Sequence, residues 1–171
     1  MATAPLPHFD TPRWFVCHTR PRCEKKFAGL LAAELFEHYL PLYQSVRRYR
    51  SQTKQFTKPL FPGYVFAQII PERKTRIYQG DLLARTILVE NEPLFLRQLA
   101  DVRALVSSGL ELVLHPILKK GTRVKIIGGP LYGTEGIIDD PANPRGVVVA
   151  MDVLQQGVLV RMAMEHLEIL P

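Results

Sequence analysis

The chain has 171 residues, of which 47% are hydrophobic and 22% are charged, and its formal net charge is +6. These proportions are ordinary for a globular protein of one domain or two small ones, and no apolar run approaches the ~20 residues that a membrane-spanning helix needs. The charge is uneven, since residues 1–109 hold 16 Lys and Arg against 9 Asp and Glu, whereas residues 110–171 hold 6 against 7. We therefore expect the N-terminal part to attract polyanions and the C-terminal part to bind a different kind of partner.

Residues 1–12 contain several prolines, lack periodicity and have neither the basic flank nor the apolar stretch of a signal peptide, which predicts a short disordered lead. A strand follows over residues 14–19 and ends before Pro21. Residues 22–38 predict a helix, because apolar residues recur at spacings of three to five between charged ones. This apolar stripe consists of Phe27, Leu30, Leu31, Leu35 and Phe36.

The two cysteines, Cys17 and Cys23, are six positions apart and do not form a disulfide framework. His18 between them does not complete a metal site, since four ligands are normally required and no Cys/His cluster elsewhere supplies the rest. We expect reduced thiols in a cytoplasmic protein.

Two further strands are predicted over residues 40–49 and 61–69. Alternation along the second strand gives two faces, one with Phe61, Gly63, Val65, Ala67 and Ile69, and one with Pro62, Tyr64, Phe66 and Gln68. The first set is typical of a core face. The second set carries two large aromatic side chains, which need cover from a helix of the same chain or from a partner.

Pro71 can begin a short helix through residue 77, residues 86–89 predict a short strand, and residues 93–106 predict a helix that ends at Ser-Ser-Gly. This order of elements indicates an α+β fold, a ferredoxin-like α/β sandwich over residues 13–109 with one added helix. The apolar residues 110–118 lack the composition of a flexible tether and predict a linker of limited reach.

Residues 119–171 alternate short β-rich pieces with glycine-containing turns, which predicts a small five-stranded β-barrel. Four glycines fall within residues 128–136 and invite comparison with a phosphate-binding loop. Neither a Gly-Lys-Ser/Thr sequence nor a helix follows them, so tight turns are the better explanation.

A basic segment lies between the two central strands, because residues 38–71 contain no carboxylate at all. Its cations are Arg47, Arg48, Arg50, Lys54 and Lys58, and we predict about ten residues of connection there, the extended tip of a hairpin. Cationic groups suit phosphate contact, while the Gln, Thr and Tyr residues among them can reach base edges. The alternative is that the charges keep an exposed hairpin soluble, although a solvated face normally mixes both signs. Arg20 and Arg22 can extend the same patch.

No set of residues indicates catalysis. Asp139 and Asp140 are adjacent and therefore point apart in a strand, and the five histidines are scattered. We expect a monomeric binding protein without enzymatic activity, metal or cofactor.

Three stretches carry a resemblance to a known family: W-F-V-C-H-T-R-P-R-C-E-K-K, F-P-G-Y-V-F and G-T-R-V-K-I-I-G-G-P-L-Y-G-T-E-G-I-I. With them, residues 13–171 resemble the NusG family of transcription factors, in which an N-terminal NusG domain precedes a C-terminal KOW barrel. The resemblance implies binding to bacterial RNA polymerase, where such proteins hold the clamp against the opposite side of the DNA cleft and suppress pausing.

The resemblance also implies roles for single residues at the polymerase. Tyr64 and Phe66 match the aromatic pair of the family's F-P-x-Y-x-F strand, part of the apolar pocket that takes the polymerase clamp helices. Trp14 and Pro62 match the neighbours of this pair. Thr75 falls in a loop that faces the other wall of the cleft.

Other matches imply further partners. Arg20 matches a basic position that faces DNA in specialised members, and the hairpin around Arg48 and Lys54 matches the element that contacts upstream or non-template DNA. Val153 and Leu154 fall where the family uses an apolar loop to meet ribosomal protein S10 or Rho.

The chain departs from the general NusG factor in this last loop, where Val-Leu-Gln-Gln stands at residues 153–156 and an F-G-R-type loop is missing. The departure argues against Rho binding, and with the short linker and the basic hairpin it favours a specialised antiterminator of biosynthetic or capsule operons. The housekeeping elongation factor is the alternative within the family. A ribosome-associated KOW protein that binds RNA is the alternative outside it, disfavoured because residues 110–171 carry no net positive charge.

Overall fold

The computed structural model describes residues 11–118, 120–140, 142 and 145–171. The chain divides into two compact units, the first formed by Met1–Leu40 with Phe61–Glu90 and the second by Pro41–Leu60 with Asn91–Pro171. The lead predicted over residues 1–12 lies outside the described residues except for its last two. The predicted division into domains at residues 13–109 and 119–171 stays a prediction.

Twelve strands and two α-helices make up the described part, together with short 3-10 helices. In chain order the strands are β1 (Arg13–Thr19), β2 (Glu37–Tyr39), β3 (Leu42–Arg48), β4 (Thr53–Pro59), β5 (Tyr64–Ile69), β6 (Leu83–Leu88), β7 (Leu112–Pro116), β8 (Thr122–Ile126), β9 (Glu135–Ile138), β10 (Val147–Met151), β11 (Gln156–Val160) and β12 (Leu167–Ile169). The helices are α1 (Glu24–Ala33) and α2 (Glu92–Ser107). The mixed α/β character of the prediction is confirmed. No described helix has the length and hydropathy that crossing a membrane would require.

The first unit is built on a four-stranded antiparallel sheet with the order β2-β5-β1-β6. One face of this sheet is the core face that alternation predicted, where Val65, Ala67 and Ile69 are fully buried. They pack with side chains of β1, α1 and the segment after β5. The cluster consists of Phe15, Cys17, Phe27, Leu31, Phe36, Val65, Ala67, Ile69, Ile77 and Leu83.

Helix α1 is shorter than the helix predicted over residues 22–38, because the chain turns sharply after Ala33. Leu35 has a positive φ of 60°, and the backbone N–H groups of Leu35 and Phe36 donate to the carbonyl oxygens of Ala32 and Leu31. This pair of hydrogen bonds is a Schellman motif, which satisfies the last carbonyls of a helix and normally uses glycine at the left-handed position. The motif ends α1 and releases residues 37–39 to form β2.

The first unit also contains a 3-10 helical segment, Pro71–Asp81, where a short helix through residue 77 was predicted, and this segment is kinked at Gln79 and Gly80, whose backbone angles are not helical. Its one buried side chain is Ile77, which belongs to the core cluster. The strand predicted over residues 86–89 is confirmed in type but begins earlier, at Leu83.

The second unit contains a two-stranded antiparallel hairpin, β3–β4, which we call the basic hairpin (residues 42–59). The predicted ten-residue connection is wrong, since residues 53–59 form β4 and pair with all of β3. Tyr49 N–H donates to Gln52 O, which leaves only Arg50 and Ser51 as the tip. Thr53, Phe56 and Thr57 are residue types that favour a strand, and β3 provides the partner strand, which the spacing of residues along the sequence does not reveal.

The second unit also contains helix α2 and a six-stranded sheet with the order β12-β8-β9-β10-β11-β7. Part of the segment predicted as a linker of limited reach forms a strand, since Leu112–Pro116 is β7 and pairs with β11 from Leu112↔Val160 to Pro116↔Gln156. A strand has two edges, and those of β11 are occupied by β10 and β7. No edge of β11 is left for β12, so the described strands do not close the predicted five-stranded barrel.

Helix α2 begins where the sequence predicts, with Asn91 as its cap and Pro93 in its first turn. The Asn91 side chain accepts a hydrogen bond from Leu94 N–H at 3.2 Å. At the other end, the Ser108 hydroxyl donates to Leu105 O at 2.6 Å, and Gly109 follows with a positive φ of 71°. The buried side chains of α2 are Phe95, Leu99, Val102 and Leu105.

Candidate functional site: an aromatic sheet face and a basic hairpin

Four of the five residues matched to polymerase binding lie on or beside one face of the first unit's sheet, which we call the Tyr64 face. The register pairs His18 with Tyr64, Val16 with Phe66, and Trp14 with Gln68. Directly opposite residues in an antiparallel pair share a face, so all six side chains point away from the core cluster. The prediction of two faces is therefore confirmed for Tyr64–Ile69, whereas Phe61, which was predicted on the core face, packs against Phe66 of the other face.

Tyr64 and Phe66, which the sequence treats as a pair, differ in depth. Phe66 is fully buried, with the ring of Phe61 edge-on at 6.4 Å between centroids, and Trp14 is only 5% exposed. Tyr64 is half-buried and stacks on His18, with ring centroids 4.9 Å apart and planes inclined by 18°. The expectation that both aromatics of the strand need cover from elsewhere is right for Phe66, whereas Tyr64 retains accessible surface.

The turn before Tyr64 is held by a glycine and by a carboxylate that the sequence analysis did not single out. Gly63 has a positive φ of 87°, its N–H donates to Glu24 Oε1 at 2.8 Å, and its carbonyl accepts from Thr19 N–H at 2.8 Å. Glu24 is 9% exposed. These bonds fix the entry into β5 with Pro62 exposed at the turn. The glycine within F-P-G-Y is the one sequence signal of this arrangement.

Thr75 is exposed in the 3-10 helical segment Pro71–Asp81, between two cations that contact core aromatic rings and the buried Ile77. The guanidinium of Arg73 lies 4.6 Å from the centroid of the Phe36 ring, and the ammonium of Lys74 lies 4.9 Å from that of Phe15. Cation–π contacts of this kind typically contribute about 0.5–2 kcal/mol. Thr75 is thus exposed on a segment that these contacts hold against the core.

Arg20 and Arg22 belong to the first unit, whereas the basic hairpin belongs to the second. Arg20 donates to Asp81 Oδ1 at 2.8 Å, and both side chains are more than half exposed. Such an ion pair contributes at most about 1 kcal/mol and leaves the guanidinium able to exchange partners. Arg22 is exposed and has a positive φ of 61°.

The basic hairpin carries five cations and no carboxylate, and all but one of these cations are exposed; Lys58 is half-buried. Arg50 lies in the tip, while Arg47 pairs with Lys54 and Arg48 pairs with Thr53 across the ladder. Like charges directly opposite one another destabilise a sheet, so the Arg47–Lys54 pair is poorly explained by stability alone. An anion bound between them would relieve the repulsion.

The cysteines give no sign of chemistry. Cys17 is fully buried in the core cluster, and burial raises the pKa of its thiol to about 12, with a smaller opposing effect from Lys74. Cys23 is half-buried, and both thiols are free. A thiol with so high a pKa is a poor nucleophile at neutral pH.

In the second unit, Val153 and Leu154 lie in the short turn Asp152–Leu154 between β10 and β11. Leu154 is 8% exposed and Val153 is half-buried, so the accessible apolar surface of the predicted partner loop is mainly that of Val153. The turn is fixed by Gln155, which adopts a positive φ of 52° and donates from Nε2 to Asp152 O at 2.7 Å. Asp152 N–H donates in turn to Gln98 Oε1 of α2 at 2.9 Å.

Close to this turn, a cleft of about 210 Å³ lies between α2 and strands β8, β9 and β10. Asp101 of α2 lines it, and the pKa of this carboxyl is raised from 3.8 to about 6. Loss of solvent is the main cause, repulsion from Glu135 adds to it, and Arg97 opposes it. Glu135 is itself paired with Arg123 at 3.4 Å.

Much of the chain matches the model of a known protein family. The family described as Transcription termination factor nusG matches residues 12–117, about three fifths of the chain. No curated protein sequence matches the chain.

Among solved structures, one described as "Domain interaction in Thermotoga maritima NusG" superposes with a TM-score of 0.52 at 19% identity, covering 94% of this chain and 98% of that one. The structure described as "Crystal Structure of MjSpt4:Spt5 complex conformation B" matches with a TM-score of 0.32 at 18% identity, covering 91% and 95%. The Thermotoga structure supports the fold. On the strength of the match across residues 12–117, the chain belongs to the NusG family of transcription factors.

Proposed function

We propose that this protein is a transcription elongation and antitermination factor that binds the clamp of bacterial RNA polymerase and contacts DNA, without chemistry of its own. The observation that carries the proposal is the match of residues 12–117 to the NusG family. The exposed, carboxylate-free hairpin supports the nucleic-acid part, since its charge suits phosphate.

The polymerase contact is assigned to the Tyr64 face. Aromatic side chains that are partly exposed and rigidly supported are the usual anchors of protein interfaces. Tyr64 meets this description through its stack on His18 and its fixed turn, while Phe66 and Trp14 lie underneath as support. Pro62 borders the same surface and Thr75 provides a second, separate contact.

The DNA contact is assigned to Arg47, Arg48, Arg50 and Lys54 of the basic hairpin, with Arg20 and Arg22 as further cations. Upstream or non-template DNA is the expected target. A long carboxylate-free hairpin able to read a DNA element favours a specialised factor of particular operons over a housekeeping one.

The KOW-like strands, residues 119–171, are proposed to bind ribosomal protein S10 through Val153 and Leu154 rather than Rho. Their near-neutral charge gives no electrostatic attraction to RNA. This property disfavours the ribosome-associated RNA-binding alternative.

The test is a pull-down with bacterial RNA polymerase, followed by mapping of polymerase-bound protein along the genome. We expect Tyr64→Ala to lose polymerase, whereas Tyr132→Ala, which removes a tyrosine that is 74% exposed in the second unit, serves as the matched control and should bind normally. Occupancy at one or a few operons supports the specialised role. Uniform occupancy of transcribed genes would assign the chain to the housekeeping factors, and failure of the wild-type protein to bind polymerase would overturn the proposal.

A further inference from the structure

We propose that one face of the basic hairpin binds single-stranded nucleic acid by stacking its bases on aromatic rings between cations, and that the opposite face does not. This inference rests on the proposed contact between the hairpin and nucleic acid, and it specifies the face and the form of the ligand. We call the binding face the aromatic face. It consists of Tyr43, Ser45, Arg47, Tyr49, Gln52, Lys54, Phe56 and Lys58.

The pairing register separates the two faces of the hairpin. Tyr43 lies opposite Lys58, Ser45 opposite Phe56, and Arg47 opposite Lys54, and residues directly opposite one another share a face. The Tyr49–Gln52 hydrogen bond extends the same register to the tip. All three aromatic rings of the hairpin therefore fall on one face.

The other face, which we call the amide face, has a different character. Its cross-strand pairs are Leu42–Pro59, Gln44–Thr57, Val46–Gln55 and Arg48–Thr53. Gln44 Nε2 donates to Thr57 Oγ1 at 3.0 Å, which confirms that these two side chains share a face. The amide face has one cation and no ring, against three cations and three rings on the aromatic face.

Side-chain contacts on the aromatic face hold rings and cations next to each other. The ammonium of Lys54 lies 5.9 Å from the centroid of Tyr49, and that of Lys58 lies 5.9 Å from the centroid of Phe56. Tyr49 is 50% exposed and Phe56 is 37% exposed. The rings of Tyr49 and Phe56 thus each have solvent-accessible surface with a positive charge beside it.

This combination fits a single strand better than a duplex. Aromatic rings bind bases by stacking, which needs unpaired bases whose faces are free, and neighbouring cations follow the phosphates. In a duplex the bases already stack on one another, so the aromatic rings would find no free base face even where a β-ribbon enters the major groove. Strands rise about 3.3 Å per residue, so the face from Tyr43 to Tyr49 is about 20 Å long and can accommodate several nucleotides.

Charge makes nucleic acid the preferred occupant over an apolar partner. Residues 38–71 contain no carboxylate, and Arg47 and Lys54 face each other directly across the ladder. Two opposed cations attract phosphate strongly and would be costly to bury against an apolar surface.

The experiment measures binding of the full chain to three labelled probes by fluorescence anisotropy at several salt concentrations. The probes are a 12-nucleotide oligo-dT, a 12-nucleotide oligo-U and a 12-base-pair DNA duplex. We expect the single strands to bind more tightly than the duplex. The Tyr49→Ala/Phe56→Ala double variant should lower single-strand affinity about 10- to 100-fold without changing the slope against salt, because it removes rings and no charge.

Two adjacent arginines provide a matched pair. Arg47→Gln removes a cation from the aromatic face and should reduce the salt slope for the single strands by about 0.7. Arg48→Gln removes the same charge from the amide face and should change the slope less. Circular dichroism checks that each variant is folded, and oligo-dT against oligo-U distinguishes DNA from RNA as the source of the strand.

The outcomes separate this inference from the proposed function. Binding to single strand and duplex alike, with no effect of the double variant and equal effects of the two arginines, would refute the aromatic face while leaving a general DNA contact intact. No binding of the wild-type protein to any probe would overturn both.

Discussion

Replacing Tyr64 by alanine should weaken polymerase binding with little loss of stability, whereas replacing Phe66 by alanine should mainly destabilise the fold. Phe66 is fully buried with Phe61 against it. Phe→Ala changes at such positions cost about 3–5 kcal/mol, a large part of the 5–15 kcal/mol that stabilises a typical domain. For a chain of this size the melting temperature should fall by roughly 10 °C.

Tyr64→Ala has a smaller structural cost. The ring is half-buried and its stack on His18 contributes about 1 kcal/mol, so the variant should remain folded at room temperature. Loss of an aromatic interface anchor commonly costs ~2 kcal/mol or more, which corresponds to about a 30-fold weaker affinity for polymerase.

The assay combines thermal unfolding with a titration of labelled polymerase. Tyr64→Phe keeps the ring and should bind nearly as the wild type, and Phe66→Leu fills most of the buried volume and should recover most of the lost stability. A folded Tyr64→Ala protein with unchanged affinity for polymerase would refute the assignment of Tyr64. An unfolded one would show instead that Tyr64, like Phe66, is part of the core.

Three other predictions concern stability and the second unit. Leu35→Gly should stabilise the protein by up to about 1 kcal/mol, because Leu35 is 87% exposed in a left-handed conformation that glycine adopts without strain. Leu35→Ala is the control, and an equal effect of the two substitutions in chemical denaturation would show that backbone strain at residue 35 is not the cause. Asp101→Asn should stabilise the fold by about 1 kcal/mol at pH 8, allowing for partial solvent screening, and by nothing at pH 4. The reason is that the pKa of Asp101 is raised to about 6 in the folded protein, so the stability that the protonated carboxyl provides is complete below about pH 4 and is lost as the pH rises through 6. A gain in stability that is independent of pH would refute this explanation. Val153→Ala should weaken binding of ribosomal protein S10 in an NMR titration of the full chain. Val113→Ala, which changes an exposed valine of β7, is the control, and unchanged shifts around residues 153–156 would reject the site.

Periodicity along the chain predicted those features that depend on one segment at a time. The two faces of β5, the start of α2 within one residue of Pro93 and the strand at residues 14–19 all follow from alternation or turn residues near one another in sequence. Local side-chain patterns determine such features, so they can be predicted without knowing the partner strands.

The features that sequence analysis missed depend on pairing between distant segments. Residues 53–59 were predicted as a connection and residues 110–118 as a linker, yet both contain strands because β3 and β11 offer edges to them. The position of β7 also explains why the predicted barrel is not closed in the described residues. Nothing in the composition of residues 112–116 specifies which edge they occupy.

The candidate site illustrates the same limit at the level of side chains. Alternation assigns Tyr64 and Phe66 to one face but gives no depth, and depth decides which of them a partner can touch. The sheet gives Tyr64 an aromatic neighbour, His18, and an exposed turn at Pro62, whereas it gives Phe66 the Phe61 ring and no exposed surface. Under the proposed function, Tyr64 is therefore the contact residue of the family's aromatic pair and Phe66 the supporting residue beneath it. Single substitutions can separate these two roles, whereas a double substitution would hide the difference.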